Sequence, residues 1–83
     1  MPMFMDVHAG FHGVTQEQFD AAHQLDVEIQ AEEGVSYQRA WLDPTAGKVF
    51  CLVSGPSREA VERIHARAGH PADELYELTI KAA

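Results

Sequence analysis

Val49-Phe50-Cys51-Leu52-Val53 is a continuous apolar run, and it constrains this fold more than any other stretch. Five residues are too few for a helix, and with no polar position between them the run reads as a central strand buried on both faces. Before it, Asp43-Pro44-Thr45-Ala46-Gly47 carries the turn chemistry of a hairpin. Val35 to Leu42 is the strand that enters this hairpin, with Val35, Tyr37, Arg39 and Trp41 expected on one face.

The rest of the chain completes the pattern. Met3 to His8 alternates with a period of two, Met3, Met5 and Val7 on one side and Phe4, Asp6 and His8 on the other. After a loop with two glycines, Thr15-Gln16-Glu17-Gln18 matches a capping box, which Val14 and Phe19 can staple. The helix that follows is expected to run to about Glu33, with Phe19, Ala22, Leu25 and Ile29 inward and Gly34 as its stop. Pro56-Ser57 opens a second helix, Ser57 as its cap, with Ala60, Val61, Ile64 and Ala68 as its buried stripe and His65 at the margin. Gly69 and Pro71 end it. Asp73 to Ile80 reads as a last strand with Tyr76, Leu78 and Ile80 inward.

The order β-α-β-β-α-β over residues 1–83 predicts one α+β domain of ferredoxin-like fold, an antiparallel sheet in the order 4-1-3-2 with both helices on one face. An 83-residue core without staples is marginal, and a second copy of the chain is the simplest source of further burial. The single cysteine rules out an internal disulfide and a four-cysteine zinc site. Thirteen acidic residues against six basic ones, a net charge of −7, argue against nucleic acid and anionic membranes as partners. No apolar run is long enough to span a bilayer, and the N-terminal residues lack a signal-peptide pattern, so a cytoplasmic location is expected.

The topology gathers the histidines. With the first strand pointing up, His8, His12, His65, His70 and Asp73 all belong to the upper edge of the sheet, and His23, in the body of the first helix, stands apart. Asp6 and His8 are expected on the face away from the helices, beside Phe4, Leu75 and Glu77, lining a cleft at the rim of a homodimer. Phe4, Tyr37, Trp41 and Leu75 are the apolar candidates for that interface. Imidazole and carboxylate donors together suit Ni2+, Zn2+, Co2+ or Cu2+. Cys51 joins such a set only by pointing out of the core, since a lone cysteine in a central strand is commonly a small buried hydrophobe. Asp26 falls inside the apolar arc of the first helix and needs either a partner or a wet subunit contact, and the latter is preferred here.

At these residues the chain resembles a small family of nickel-binding, nickel-responsive bacterial proteins of ferredoxin-like fold, long known only as a domain of unknown function. The resemblance spans nearly the whole chain: Met5-Asp6-Val7-His8, Glu33-Gly34-Val35, Trp41, Phe50-Cys51, and His65 through Asp73-Glu74, the last being the most specific block. It implies a cytoplasmic homodimer that binds Ni2+ through His and Asp/Glu side chains, with no established catalytic activity. Carried onto this sequence, the implied metal ligands are Asp6, His8, His65 and His70, with His12, Cys51 and Asp73 as further members.

Two other classes compete with a metal-buffering, sequestering or delivery protein. One is a small dimeric α/β-barrel enzyme of monooxygenase or isomerase type, in which Asp6 with His8, or Asp26 with His65, would act as an acid–base pair. The other is a ligand-sensing domain that signals through its dimer. No nucleophile motif, phosphate loop or nucleotide fingerprint supports the enzyme, and fold alone does not separate the three.

Overall fold

The computed structural model describes residues 1–82. Its elements are β1 (Met3–His8), α1 (Gln16–Glu33), β2 (Ser36–Asp43), β3 (Lys48–Ser54), α2 (Arg58–Arg67) and β4 (Glu74–Leu78). All strand pairs are antiparallel and the sheet order is β2-β3-β1-β4, the expected 4-1-3-2 read from the other edge. The fold is ferredoxin-like, as the pattern of elements predicted.

Local chemistry sets the element ends. Thr15 and Gln18 form the reciprocal capping box, the Gln18 N–H donating to Thr15 Oγ1 at 3.2 Å and the Thr15 N–H to Gln18 Oε1 at 3.0 Å. Gly34 closes α1 at φ 69°, a left-handed conformation that glycine adopts without strain. Ser57 caps α2, its Oγ accepting from the Ala60 N–H. At the hairpin, Asp43 Oδ1 accepts from the N–H groups of Thr45 and Ala46. The loop after β1 is tied onto that hairpin by the Phe11 N–H donating to the Gly47 carbonyl and the Gly13 N–H to the Pro44 carbonyl. These bonds carry Phe11 over the end of the sheet, next to the site described below.

The core between helices and sheet is made by Phe4, Val35, Val53, Ala60, Val61, Ile64 and Leu75. Burying a side chain such as Ile64 contributes roughly 2 kcal/mol. Several facings depart from expectation. In β1 it is Phe4, Asp6 and His8 that lie under the helices, opposite Val53, Cys51 and Val49 of β3, and all three are buried. The expectation that Asp6 and His8 face away from the helices is corrected: both alternating sets of β1 hold apolar residues, and the set with polar members goes inward because α2 brings His65 to Asp6 and the loop after α2 brings the Pro71 carbonyl to His8.

Strand β2 is bulged, with two steps from Tyr37 to Arg39 against one from Val53 to Leu52 on β3. The extra residue resets the alternation. Tyr37 therefore faces the helices while Arg39 and Trp41 share the open face, instead of all three lying together. In β4, Leu75 is the buried residue and Tyr76 and Leu78 are exposed; Ile80 lies beyond the strand end and is also exposed. The open face is lined by Met3, Met5, Trp41, Leu52, Tyr76 and Leu78. Of the expected dimer contacts, Trp41 alone is there; Phe4, Tyr37 and Leu75 lie on the helix side.

Candidate metal centre

The helix α1 carries one fully buried residue, and it is Asp26, at 2% exposure. Leu25, expected in the inward stripe, is exposed, and Phe19, Ala22 and Ile29 are half-buried. The carboxylate is not at a wet subunit contact as expected. It points into the molecule, to the exit of α2. On α2, His65 is fully buried rather than marginal, and Ala68 is only half-buried.

Asp26 and Asp6 sandwich His65. The His65 Nε2 lies 2.6 Å from Asp6 Oδ2, with the Tyr37 hydroxyl 2.8 Å from the same nitrogen. On the other side of the ring, Nδ1 stands 3.4 Å from Asp26 Oδ1, an ion-pair distance without the alignment of a hydrogen bond. His8 Nε2 meets the second oxygen of Asp6 at 2.8 Å, and its Nδ1 faces the Pro71 carbonyl at 3.3 Å. His70 Nε2 meets Asp26 Oδ2 at 2.9 Å. A chain of five side chains results, His8-Asp6-His65-Asp26-His70. It folds back on itself, for the His8 and His70 rings are only 5.6 Å apart and each is within 5.6 Å of His65.

The electrostatics follow from this geometry. Burial penalises the His65 cation, but the Asp26 and Asp6 carboxylates on either side of the ring outweigh it and raise its pKa to about 9. Burial likewise opposes ionisation of Asp6, yet its bonds from His65 and His8 hold the carboxyl below its ordinary value; for Asp26 the same is done by His65 and His70. His65 is thus an imidazolium at neutral pH between two carboxylates, and one cation does not neutralise two anions. Burial, and then the Asp6 charge, push the Cys51 thiol up, so it is the neutral thiol that sits beside Asp6. Burial, followed by the charges of Asp26 and Asp6, does the same to the Tyr37 hydroxyl.

Of the seven residues named from the sequence, five converge. Two groups have donor atoms within 4.8 Å of one another: Asp6, His8 and Cys51, and Asp26, His65 and His70. The other two do not join them. His12 is exposed and lies against Gly47. Asp73 is exposed and latches the chain ends of the strands: its Oδ2 accepts from the Ala9 N–H at 2.7 Å and its own N–H donates to the Val7 carbonyl.

Three residues outside the set named as metal ligands adjoin the cluster: Asp26, Tyr37 and His23. Asp26 announced itself as a carboxylate on an apolar arc, a pattern that demands a partner. Tyr37 was hidden by the bulge. His23 lies one turn before Asp26 on the same helix and borders the small crevice, about 10 Å³, that His8, Cys51, Asp26 and His70 also line. Oxygen and nitrogen donors of this kind suit borderline divalent metals, and the crevice has room for one atom of about that size. The donor set thus fits such an ion.

Among known proteins, the family model described as nickel responsive protein SCO4226-like matches residues 4–78. The crystal structure of SCO4226 from Streptomyces coelicolor A3(2) is 50% identical in sequence, with a TM-score of 0.94 over 96% of this chain and 99% of that one. No curated protein matches.

Proposed function

Because this chain belongs to the SCO4226-like family of nickel responsive proteins, we propose that it binds Ni2+ through the buried histidine–aspartate cluster, as a protein that buffers, sequesters or delivers the metal. The observation that carries this reading is the convergence of His8, His65 and His70 with Asp6, Asp26 and Cys51 into two adjoining groups of donor atoms. Buried imidazoles backed by carboxylates are what metal sites use to orient their ligands. Zn2+, Co2+ and Cu2+ would fit the same donors, so selectivity rests on geometry and on metal supply.

The metal-binding form is a cytoplasmic homodimer joined through the open sheet face, where Trp41, Tyr76 and Leu78 are exposed on one surface with Met5 and Leu52. A core of this size benefits from such cover. A net charge of −7 argues against nucleic acid and anionic membranes as partners, and among the described residues no helix is long and apolar enough to cross a membrane.

Calorimetric titration of Ni2+ into protein purified without a histidine tag tests the proposal. Saturable binding is expected, weakened at least tenfold (about 1.4 kcal/mol) in His70→Ala or His8→Ala. Protons compete with metal at imidazole, so log affinity should also fall as pH drops. A wild-type protein that takes up no nickel would refute the function.

A further inference from the structure

The crevice bordered by His8, Asp26, Cys51 and His70 is about 10 Å³, room for one water-sized atom, and the first three of these residues are buried. A divalent ion in solution carries a shell of several waters and is far larger than that space. Part of the wall must move before such an ion reaches the imidazoles.

Most of the wall is regular structure. Phe19, Ala22, His23 and Asp26 belong to α1, His8 to β1, and Val49 and Cys51 to β3. His70 lies on a loop, but its ring meets Asp26 at 2.9 Å and its N–H donates to the His65 carbonyl at 3.0 Å. Phe11 is the exception. It is the one half-buried residue in the otherwise exposed stretch 9–13, and its ring stands edge-on to His8 with centroids 6.3 Å apart.

This stretch hangs between two fixed points, Ala9, whose N–H donates to Asp73 Oδ2 at 2.7 Å, and Thr15 in its capping box. Between them, Gly10 and Gly13 flank Phe11 and His12 at φ 86° and 71°, with nothing within 4 Å of where a Cβ would stand. Glycine passes between positive and negative φ without a steric penalty. Two backbone bonds fasten the stretch to the hairpin, Phe11 N–H to the Gly47 carbonyl at 3.0 Å and Gly13 N–H to the Pro44 carbonyl at 3.1 Å. In so exposed a segment water takes the place of a broken bond at little net cost. Openings of this local kind need far less free energy than unfolding the core.

Resting on the nickel reading above, we infer that residues 10–13 are the gate of the metal centre: they turn about Gly10 and Gly13, lift Phe11 away from His8, and admit a divalent ion to donors that stay in place. The loop sets how fast metal enters and leaves; the cluster sets how tightly it is held.

Cys51, the single cysteine, is 3% exposed on the inner wall and reports opening without any metal. The test is the rate at which methyl methanethiosulfonate, a small thiol reagent, modifies it in the presence of chelator. Gly10→Ala adds a Cβ that touches nothing and strains only the closed, left-handed hinge, so labelling should quicken about tenfold. Phe11→Ala, which removes the plug, should quicken it as well. Gly34→Ala is the control, since it places alanine at a similar φ of 69° at the end of α1 and leaves the loop alone. Its labelling rate should match wild type, and low urea should leave all the rates unchanged. Rates that climb steeply with urea, and as much in Gly34→Ala as in Gly10→Ala, would mean that Cys51 is reached only by unfolding, and the gate is overturned whatever nickel does. In stopped-flow mixing with Ni2+, association and dissociation should both quicken in Gly10→Ala while their ratio stays within about threefold. Nickel bound by the wild type with unchanged rates in both loop variants overturns the gate and leaves the nickel reading standing. Faster labelling in a protein that takes up no nickel overturns the nickel reading and supports the loop as the door of the crevice.

Discussion

Asp6 and His65 are 59 positions apart in the chain and meet at 2.6 Å, Oδ2 to Nε2, with neither side chain exposed to solvent. This contact ties β1, an inner strand of the sheet, to the last turn of α2. A buried charge pair of this kind contributes little net stability over an apolar pair, but losing one partner leaves the other charge stranded. His65→Ala should therefore destabilise the protein by about 3–5 kcal/mol. The double variant Asp6→Leu with His65→Leu should cost clearly less than the sum of the two single replacements by leucine. Urea unfolding of the four proteins measures the coupling, and additive losses would mean that the pair does not act as a unit.

Stability should depend on pH with a definite sign. His65 has its pKa raised from 6.5 to about 9 in the fold. Its contribution is full below about 6.5 and is lost as pH rises through 9. Asp6 and Asp26 are lowered from 3.8, so theirs is present above about 4 and lost as pH falls through the folded values. Metal-free protein should be most stable between about 4 and 6.5 and lose on the order of 2 kcal/mol by pH 9. Urea midpoints measured in chelator across this range read the curve directly, and a midpoint that rises from pH 6 to 9 would contradict the imidazolium assignment.

The open sheet face should be the dimer surface. Leu78→Glu together with Tyr76→Glu introduces charge where two exposed apolar side chains now stand. Light scattering at micromolar concentration is expected to give twice the chain mass for wild type and the single mass for the double variant. A wild-type monomer would remove the interface.

Gly47 has φ +70°, and a Cβ there would collide with the His12 ring. Gly47→Ala should thus lower stability through two separable effects. Adding His12→Ala relieves the collision, while the left-handed backbone penalty of about 1–2 kcal/mol remains. Thermal melts of the single and double variants should differ by the collision part, and equal melting points would show that the His12 ring simply swings aside.

The local grammar of this protein was legible without coordinates. The Thr15–Gln18 box, the Gly34 stop, the Ser57 cap and the Asp43 turn are each written within a few residues, since capping and turn bonds close over three or four positions. Those signals set the element order, and the handedness of crossovers then fixes the sheet order. The clustering of His8, His65 and His70 followed from that order as well.

What the chain could not state locally was which way its strands face. A period of two is symmetric, and β1 carries apolar residues on both sides, so nothing within Met3–His8 says that Asp6 and His8 go inward. The decision is made by His65 on α2, which meets Asp6, and by the Pro71 carbonyl, which His8 faces, partners that no neighbour in sequence can supply. The bulge after Tyr37, which turns that hydroxyl toward His65, depends likewise on the pairing with β3. Element type and order are short-range properties, readable from sequence; facing and the membership of a buried polar cluster are long-range ones, fixed only when partners distant in the chain are packed together.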